Sequence, residues 1–149
     1  MATIKIDKPK LIIGDNYKDE RGILSYINEF DLSFVKRFYT ITHPNINVIR
    51  AWQGHQCEHK FFHVVEGSFL VAWVEIDNWA NPSPNLKANF EIMTENTNAV
   101  LSIPAGYANG LKALKANSRI MVFSDHGLNE SLDDKIRYDK NLWINWHQF

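Results

Sequence analysis

Cysteine is nearly absent from this chain: Cys57 stands alone among 149 residues. No internal disulfide can form, which fits a reducing cytoplasm. An excess of charge of either sign is also missing. Lys and Arg number 16 against 17 Asp and Glu, for a net charge of −1. The two signs are interspersed, so neither a nucleic-acid partner nor a membrane surface is implied. Long hydrophobic runs are lacking too. The longest, residues 69–74, is far too short to span a bilayer. The opening Met-Ala-Thr-Ile-Lys-Ile-Asp-Lys-Pro has no apolar stretch of the kind a signal peptide needs. No repeat, linker or low-complexity segment interrupts the chain. The expectation is one domain over residues 1–149, long enough to bury roughly two-thirds of its unfolded surface.

What the chain has is strand signal. Segments rich in Val, Ile, Phe, Tyr and Trp recur at residues 11–13, 22–26, 35–42, 47–52, 60–66, 68–76, 89–93, 99–103, 108–114 and 119–124. Several are apolar on consecutive residues, as expected where one face fills a barrel and the other packs on a second sheet or a partner subunit. Val64-Val65-Glu66-Gly67-Ser68-Phe69 reads as a hairpin turning at Gly67. Residues 78–85, with Pro82 and Pro84, read as a loop. The tail from Asn129 onward is polar and then aromatic at Trp143 and Trp146, and short helical turns packed on the barrel are expected there. An all-β antiparallel barrel follows.

Residues 50–67, Arg-Ala-Trp-Gln-Gly-His-Gln-Cys-Glu-His-Lys-Phe-Phe-His-Val-Val-Glu-Gly, carry the most chemistry. Gln53, His55, Lys60 and Gly67 fall at the spacing of the first cupin signature, in which two His and a Glu bind a metal. Here one His is Gln and the Glu is Lys. A cation in a ligand position repels a divalent metal, and only one imidazole of that pair remains. Residues 100–111, Val-Leu-Ser-Ile-Pro-Ala-Gly-Tyr-Ala-Asn-Gly-Leu, resemble the second signature. Pro104 and Gly106 make its turn, and Asn109 stands where that signature has His. Asn109 can hydrogen-bond a ligand but is no base. No metal and no cofactor are expected.

Together these segments resemble the nucleotide-sugar epimerases and ketoisomerases of the cupin superfamily, of the dTDP-4-dehydrorhamnose 3,5-epimerase and dTDP-4-keto-6-deoxyglucose 3,4-ketoisomerase types. Asp19-Glu20-Arg21-Gly22 resembles an early Asp-x-Arg-Gly turn, and Phe34-Val35-Lys36-Arg37-Phe38-Tyr39 a strand of the ketoisomerase branch. Val74-Glu75-Ile76-Asp77 with Pro82-Ser83-Pro84, then Arg137-Tyr138-Asp139 and Trp143-Ile144-Asn145-Trp146, resemble later family elements. The resemblance implies a single jelly-roll (cupin) barrel with short C-terminal helical turns, a homodimer, and proton transfer beside the ketone of a nucleotide-linked 4-keto-6-deoxy sugar. Gln53 replaces the 3,5-epimerase base, and Asp125-His126-Gly127-Leu128 stands where its Tyr is expected. His55, at the second His of the ketoisomerase pattern, is then the base and Lys60 the cation for an enolate oxygen.

Arg21, Arg37 and Arg50 are candidates for the diphosphate, because guanidinium matches phosphate oxygens in bidentate fashion. Tyr39, Gln53 and Asn109 complete the candidate substrate-binding set. In relatives the turn of Arg21 can reach a neighbouring subunit. His55, His59 and His63 are spaced four apart, a metal face on a helix, but on strand–turn–strand they should not converge. His43, His126 and His147 read as surface residues. Two alternatives stay open: a barrel that binds a sugar nucleotide or glycan without turnover, and an unrelated cupin with an acquired metal.

Overall fold

The structure is a computed structural model that describes residues 8–149. Residues 1–7, most of the stretch read above for a leader, lie outside the described part. In chain order the strands are β1 (Lys10–Ile13), β2 (Asp15–Asp19), β3 (Gly22–Tyr26), β4 (Arg37–His43), β5 (Ile49–His55), β6 (Lys60–Glu66), β7 (Ser68–Glu75), β8 (Asn89–Thr94), β9 (Ala99–Ile103), β10 (Tyr107–Ala113), β11 (Ser118–Ser124) and β12 (Ile136–Arg137). One short helix, α1 (Leu128–Leu132), follows β11, and 3₁₀ turns stand at Leu32–Phe34 and Trp146–Gln148. The expected all-β barrel with helical turns near its C-terminal end is what forms. Among the described residues no helix is long and apolar enough to cross a membrane.

Two five-stranded sheets face each other, in the orders β1-β9-β6-β11-β4 and β12-β5-β10-β7-β8, with β2-β3 as a separate hairpin. Every pairing is antiparallel. The core between the sheets takes Phe62 and Val64 from β6, Leu101 and Ile103 from β9, and Ile120 and Val122 from β11. Phe69 and Val71 of β7 and Leu111 of β10 meet them from the other side. Truncating such a side chain, Phe69 for example, costs about 3–5 kcal/mol.

The apolar run through β7 has a physical reason. Its alternate residues Leu70, Ala72 and Val74 face outward and are buried with Trp52, Ala108 and Trp146 in a second cluster. The cover is the chain's own C-terminal segment, including Leu142, Trp143 and Phe149. That segment is pinned by polar contacts: Trp52 Nε1 donates to the Leu142 carbonyl (2.9 Å), Trp146 Nε1 to the Lys140 carbonyl (2.8 Å), and Tyr138 Oη to the Trp79 carbonyl (2.8 Å).

The hairpin expected at Gly67 does not form. β6 pairs with β9 and β11, whereas β7 pairs with β10 and β8. The chain therefore crosses from one sheet to the other at this corner. Gly67 has φ of 77°, a region open to glycine, and a Cβ there would collide with Ser118. Glycine is needed, but at a sheet-switching corner and not a hairpin.

Candidate functional site

Six strands, β4, β5, β6, β10, β11 and β12, together with α1 and Lys135 after it, surround a cavity of about 500 Å³. β4 contributes Arg37 and Tyr39, β5 Arg50 and Gln53, β6 Lys60, and β10 Asn109, and all six line it. Register explains the meeting. Asn109 is paired with Gln53, Arg37 and Lys60 both with Ser124 of β11, and Arg137 of β12 with Gln53. Lys135 and Arg137, missed in the sequence because they sit in a polar tail, also line the cavity. The wall thus carries five cations, Arg37, Arg50, Lys60, Lys135 and Arg137, and no carboxylate side chain among its lining residues. In a chain of net charge −1, this concentration of positive charge marks a place for an anion.

Two candidates stand elsewhere. Arg21 lies on the β2–β3 turn, 80% exposed and paired with Asp19 at 2.6 Å, and is not part of the lining. His55 is buried but is not a lining residue either. It stands one side chain away, its Nδ1 3.3 Å from Glu58 Oε2, while Glu58 Oε1 lies 2.8 Å from Lys60 Nζ.

Glu58 is the residue that sequence reasoning missed. It is 1% exposed and accepts from Lys60, from Ser124 Oγ (2.5 Å) and from Ser131 Oγ (2.9 Å), with Arg37 at 3.6 Å. Burial alone would raise its pKa. Hydrogen bonds from Lys60 and Ser124 and the charges of Lys60 and His55 outweigh burial and hold it below the ordinary value. The only trace in the sequence is an acid between His55 and Lys60 in a turn.

That turn is clamped by Asp134, whose carboxylate accepts the backbone N–H groups of Gln56 (2.8 Å), Cys57 (2.8 Å) and Glu58 (2.7 Å). The Asp134 carbonyl lies 2.7 Å from His55 Nδ1. A carbonyl can only accept, so Nδ1 carries the hydrogen. His55 Nε2 is buried with no partner and, when the ring is neutral, is a bare lone pair. Burial pushes the His55 pKa below its ordinary value, against the Asp134 hydrogen bond and the charge of Glu58. The imidazole is thus neutral at pH 7, with its Nδ1–H given to the Asp134 carbonyl and Glu58 standing beside it as a charge contact at 3.3 Å.

Lys60 Nζ also donates to Tyr39 Oη at 3.0 Å, and the Arg37 guanidinium sits 4.9 Å from the Tyr39 ring centroid. With its oxygen accepting from Lys60, the Tyr39 hydroxyl keeps its own hydrogen to give to a ligand. Cation and hydroxyl side by side suit a ketone oxygen that becomes an enolate.

The donor set does not suit a divalent metal. His55, Glu58 and Asp134 bring ligand atoms within 4.8 Å of one another. However, the Asp134 carboxylate is taken by three backbone N–H groups, Glu58 is taken by Lys60 and two serines, and the Lys60 ammonium stands against the cluster. Nor do His55, His59 and His63 converge: His59 pairs with Asp125 (2.9 Å), and His63 meets the Ala99 carbonyl (2.9 Å). His43, read as a surface residue, is instead 1% exposed and packs on Phe69 with ring centroids 5.2 Å apart. It is the last residue of β4 and its alternation follows Tyr39 and Ile41 inward.

Comparison with solved structures gives a uniform answer. The dTDP-4-dehydrorhamnose 3,5-epimerase of Bacillus anthracis, solved with TDP and PPi bound, superposes with a TM-score of 0.76 at 17% identity over 97% of this chain and 87% of its own. The rmlC epimerase of Mycobacterium tuberculosis gives 0.75 at 18% identity, covering 97% of this chain and 76% of that one. A mutant of the 3,4-ketoisomerase QdtA from Thermoanaerobacterium thermosaccharolyticum, in complex with TDP-4-keto-6-deoxyglucose, gives 0.68 at 19% identity over 89% of each chain. The fold is that of the dTDP-sugar epimerases and ketoisomerases. No protein-family model matches the sequence, and no curated protein matches it. The likeness to the epimerase and ketoisomerase barrels is carried by architecture, and the chemistry of this chain rests on its own cavity.

Proposed function

We propose that the protein is a metal-independent isomerase or epimerase that moves a proton next to the ketone of a nucleotide-linked 4-keto-6-deoxy sugar. The observation that carries this is the cavity wall of five cations without a carboxylate, set in a barrel of the dTDP-sugar epimerase fold. A diphosphate is the anion that such a wall fits, with Arg50 and Arg37 as its bidentate partners. The sugar ketone then meets Lys60 and Tyr39, and Gln53 and Asn109 hydrogen-bond its hydroxyls.

His55 Nε2 takes the proton from the carbon α to the ketone. The C–H bonding pair becomes the enolate double bond, the carbonyl pair moves onto oxygen, and Lys60 holds that oxygen. Delivery of a proton from solvent to the opposite face of the same carbon, with His55 releasing its own proton to solvent, inverts one centre. Return of the proton to the neighbouring carbon, with transfer between the two oxygens, moves the ketone. Gln53 and Asn109 provide no base or acid of their own, so a single centre or a ketone shift is favoured over inversion at two centres.

The working unit in this reading is one domain acting as a cytoplasmic homodimer in sugar-nucleotide conversion for polysaccharide synthesis. Support for pairing comes from the β2–β3 hairpin, which exposes Tyr17 (58%), Ile23 (63%) and Leu24 (59%). A two-stranded hairpin without cover is marginal in water, and the Arg21 turn at its tip would gain a partner in a dimer. A monomer by light scattering at micromolar concentration would remove this part.

The test of function is incubation with dTDP-4-keto-6-deoxyglucose in heavy water. Deuterium should enter the sugar ring in the wild type, and His55→Ala should lose about 10²–10⁴-fold of the exchange while dTDP binding persists. Tight binding with no exchange would replace this reading with a non-catalytic sugar-nucleotide binder.

A further inference from the structure

Among the described residues, Glu58 is the acid most surrounded by the groups the reaction uses, and it lines nothing itself. It reaches His55 Nδ1 at 3.3 Å, Lys60 Nζ at 2.8 Å and Arg37 at 3.6 Å. Ser124 on β11 and Ser131 on α1 donate to it. The other charge near His55 is that of Asp134, which is committed to the backbone of the turn. A buried carboxylate is costly unless it is paired and hydrogen-bonded, and here every partner but the serines belongs to the proposed machinery. A structural ion pair would need one cation. This carboxylate joins a base on β5 to a cation on β6 across the turn that carries it.

We infer that Glu58 is a positioning residue for the proton transfer, holding the Lys60 ammonium at the cavity wall and setting a negative charge beside the His55 ring, whose tautomer the Asp134 carbonyl fixes. The inference rests on the function proposed above. Glu58 stays ionised throughout: the substrate proton goes to Nε2, and the charge of the resulting imidazolium is balanced by Glu58 through the opposite ring nitrogen. The same carboxylate, 2.8 Å from Lys60 Nζ, keeps the ammonium aimed at the ketone oxygen. One residue thereby ties the placement of the cation to the charge balance of the base.

The consequence is a particular pH signature. Replacing Glu58 by Gln removes a negative charge 3.3 Å from His55 Nδ1, so the imidazolium releases its proton at lower pH. The acid limb of the exchange profile, set by His55, should move to lower pH. Exchange at neutral pH should fall about 10²-fold from lost orientation. A purely architectural role would lower the rate with the limbs in place. Ser131→Ala, which removes a neutral donor from the same carboxylate, should leave the limbs where they are. A Glu58→Gln profile with an unmoved acid limb overturns the proposal.

A second measurement needs no turnover. In ¹⁵N spectra of the wild type, His55 should show a protonated Nδ1 and an unprotonated Nε2 at pH 7. A His55 titration identical in wild type and folded Glu58→Gln overturns the proposal. Absence of exchange in the wild type, by contrast, would remove the proposed reaction while these spectra still decide the role of Glu58.

Discussion

Two lysines are buried in this barrel, and they teach different things. Lys60 is 3% exposed and Lys112 is 6% exposed. Lys112 donates to the backbone carbonyls of Trp146 (2.7 Å) and Phe149 (3.0 Å). Its ammonium fastens the C-terminal segment to the outer face of the second sheet. Lys60 donates to a carboxylate and a phenol, and its side chain lines an open cavity. Burial alone distinguishes neither. What separates them is the partner and the void: backbone carbonyls make a fastener, whereas an acid, a hydroxyl and space for a ligand suit the working group proposed for Lys60.

The sharpest way to break this comparison is to remove each ammonium. Lys60→Met should lose about 10²–10³-fold of hydrogen exchange, the usual cost of an oxyanion donor. It should also destabilise the fold by about 3–5 kcal/mol, since Glu58 keeps its charge and loses its closest cation. Lys112→Met should cost about 1–3 kcal/mol in urea unfolding and leave exchange per folded molecule unchanged. If Lys112→Met abolishes exchange in a folded protein, the division into fastener and working group is wrong.

The arginines sharpen it at a smaller scale. Arg50 lines the cavity and Arg21 does not. Arg50→Ala should weaken dTDP binding by about tenfold or more, the equivalent of one charge-assisted hydrogen bond. Arg21→Ala should change the affinity of an isolated subunit hardly at all. Calorimetry of the two variants compares them directly, and equal losses would contradict the placement of the diphosphate.

The smallest effect is in stability against pH. Burial holds His43 below the ordinary 6.5, helped by the charge of Arg50, and burial also depresses His55. A depressed histidine pKa means that the unfolded chain binds protons the folded chain refuses. Stability from these groups is therefore complete above about 6.5 and declines as pH falls below it. Glu58 is depressed below its ordinary 4.5, so its contribution stays intact above that value and is lost only as pH falls further. Urea midpoints across pH 8 to 4 should show a first decline starting near 6.5, and His43→Leu should flatten it.

Much of the architecture was legible in the sequence, and the failures have physical causes. β3, β6 and β9 have the bounds that alternation and β-propensity indicate. β2 escaped because Asp15-Asn16-Tyr17-Lys18-Asp19 is too polar to read as a strand, and its register comes from pairing with β3 alone. Gly67 reads locally as a hairpin because any glycine between apolar runs does; the switch of sheets is decided by β9, β10 and β11, far along the chain. Gln53, Lys60 and Asn109 meet at the cavity as expected because motif spacing fixes strand positions. Glu58 beside it and Lys135 and Arg137 in its lining were not anticipated, since a turn acid and two tail cations carry no periodic signal. His43 looked exposed between polar neighbours, and only barrel closure turns it inward.

The Asp134 clamp also has a consequence for the order of synthesis. His55 and the turn after it are made long before the residue that secures them, which lies 79 positions further on. A nascent chain can pair β5 with β10 and β6 with β9 and still lack the carbonyl that sets the histidine tautomer and the carboxylate that shapes the turn. In the proposed reaction, competence for proton transfer therefore waits until residue 134 has been made. A product truncated before residue 134 would retain most of the barrel strands and carry an unset candidate site.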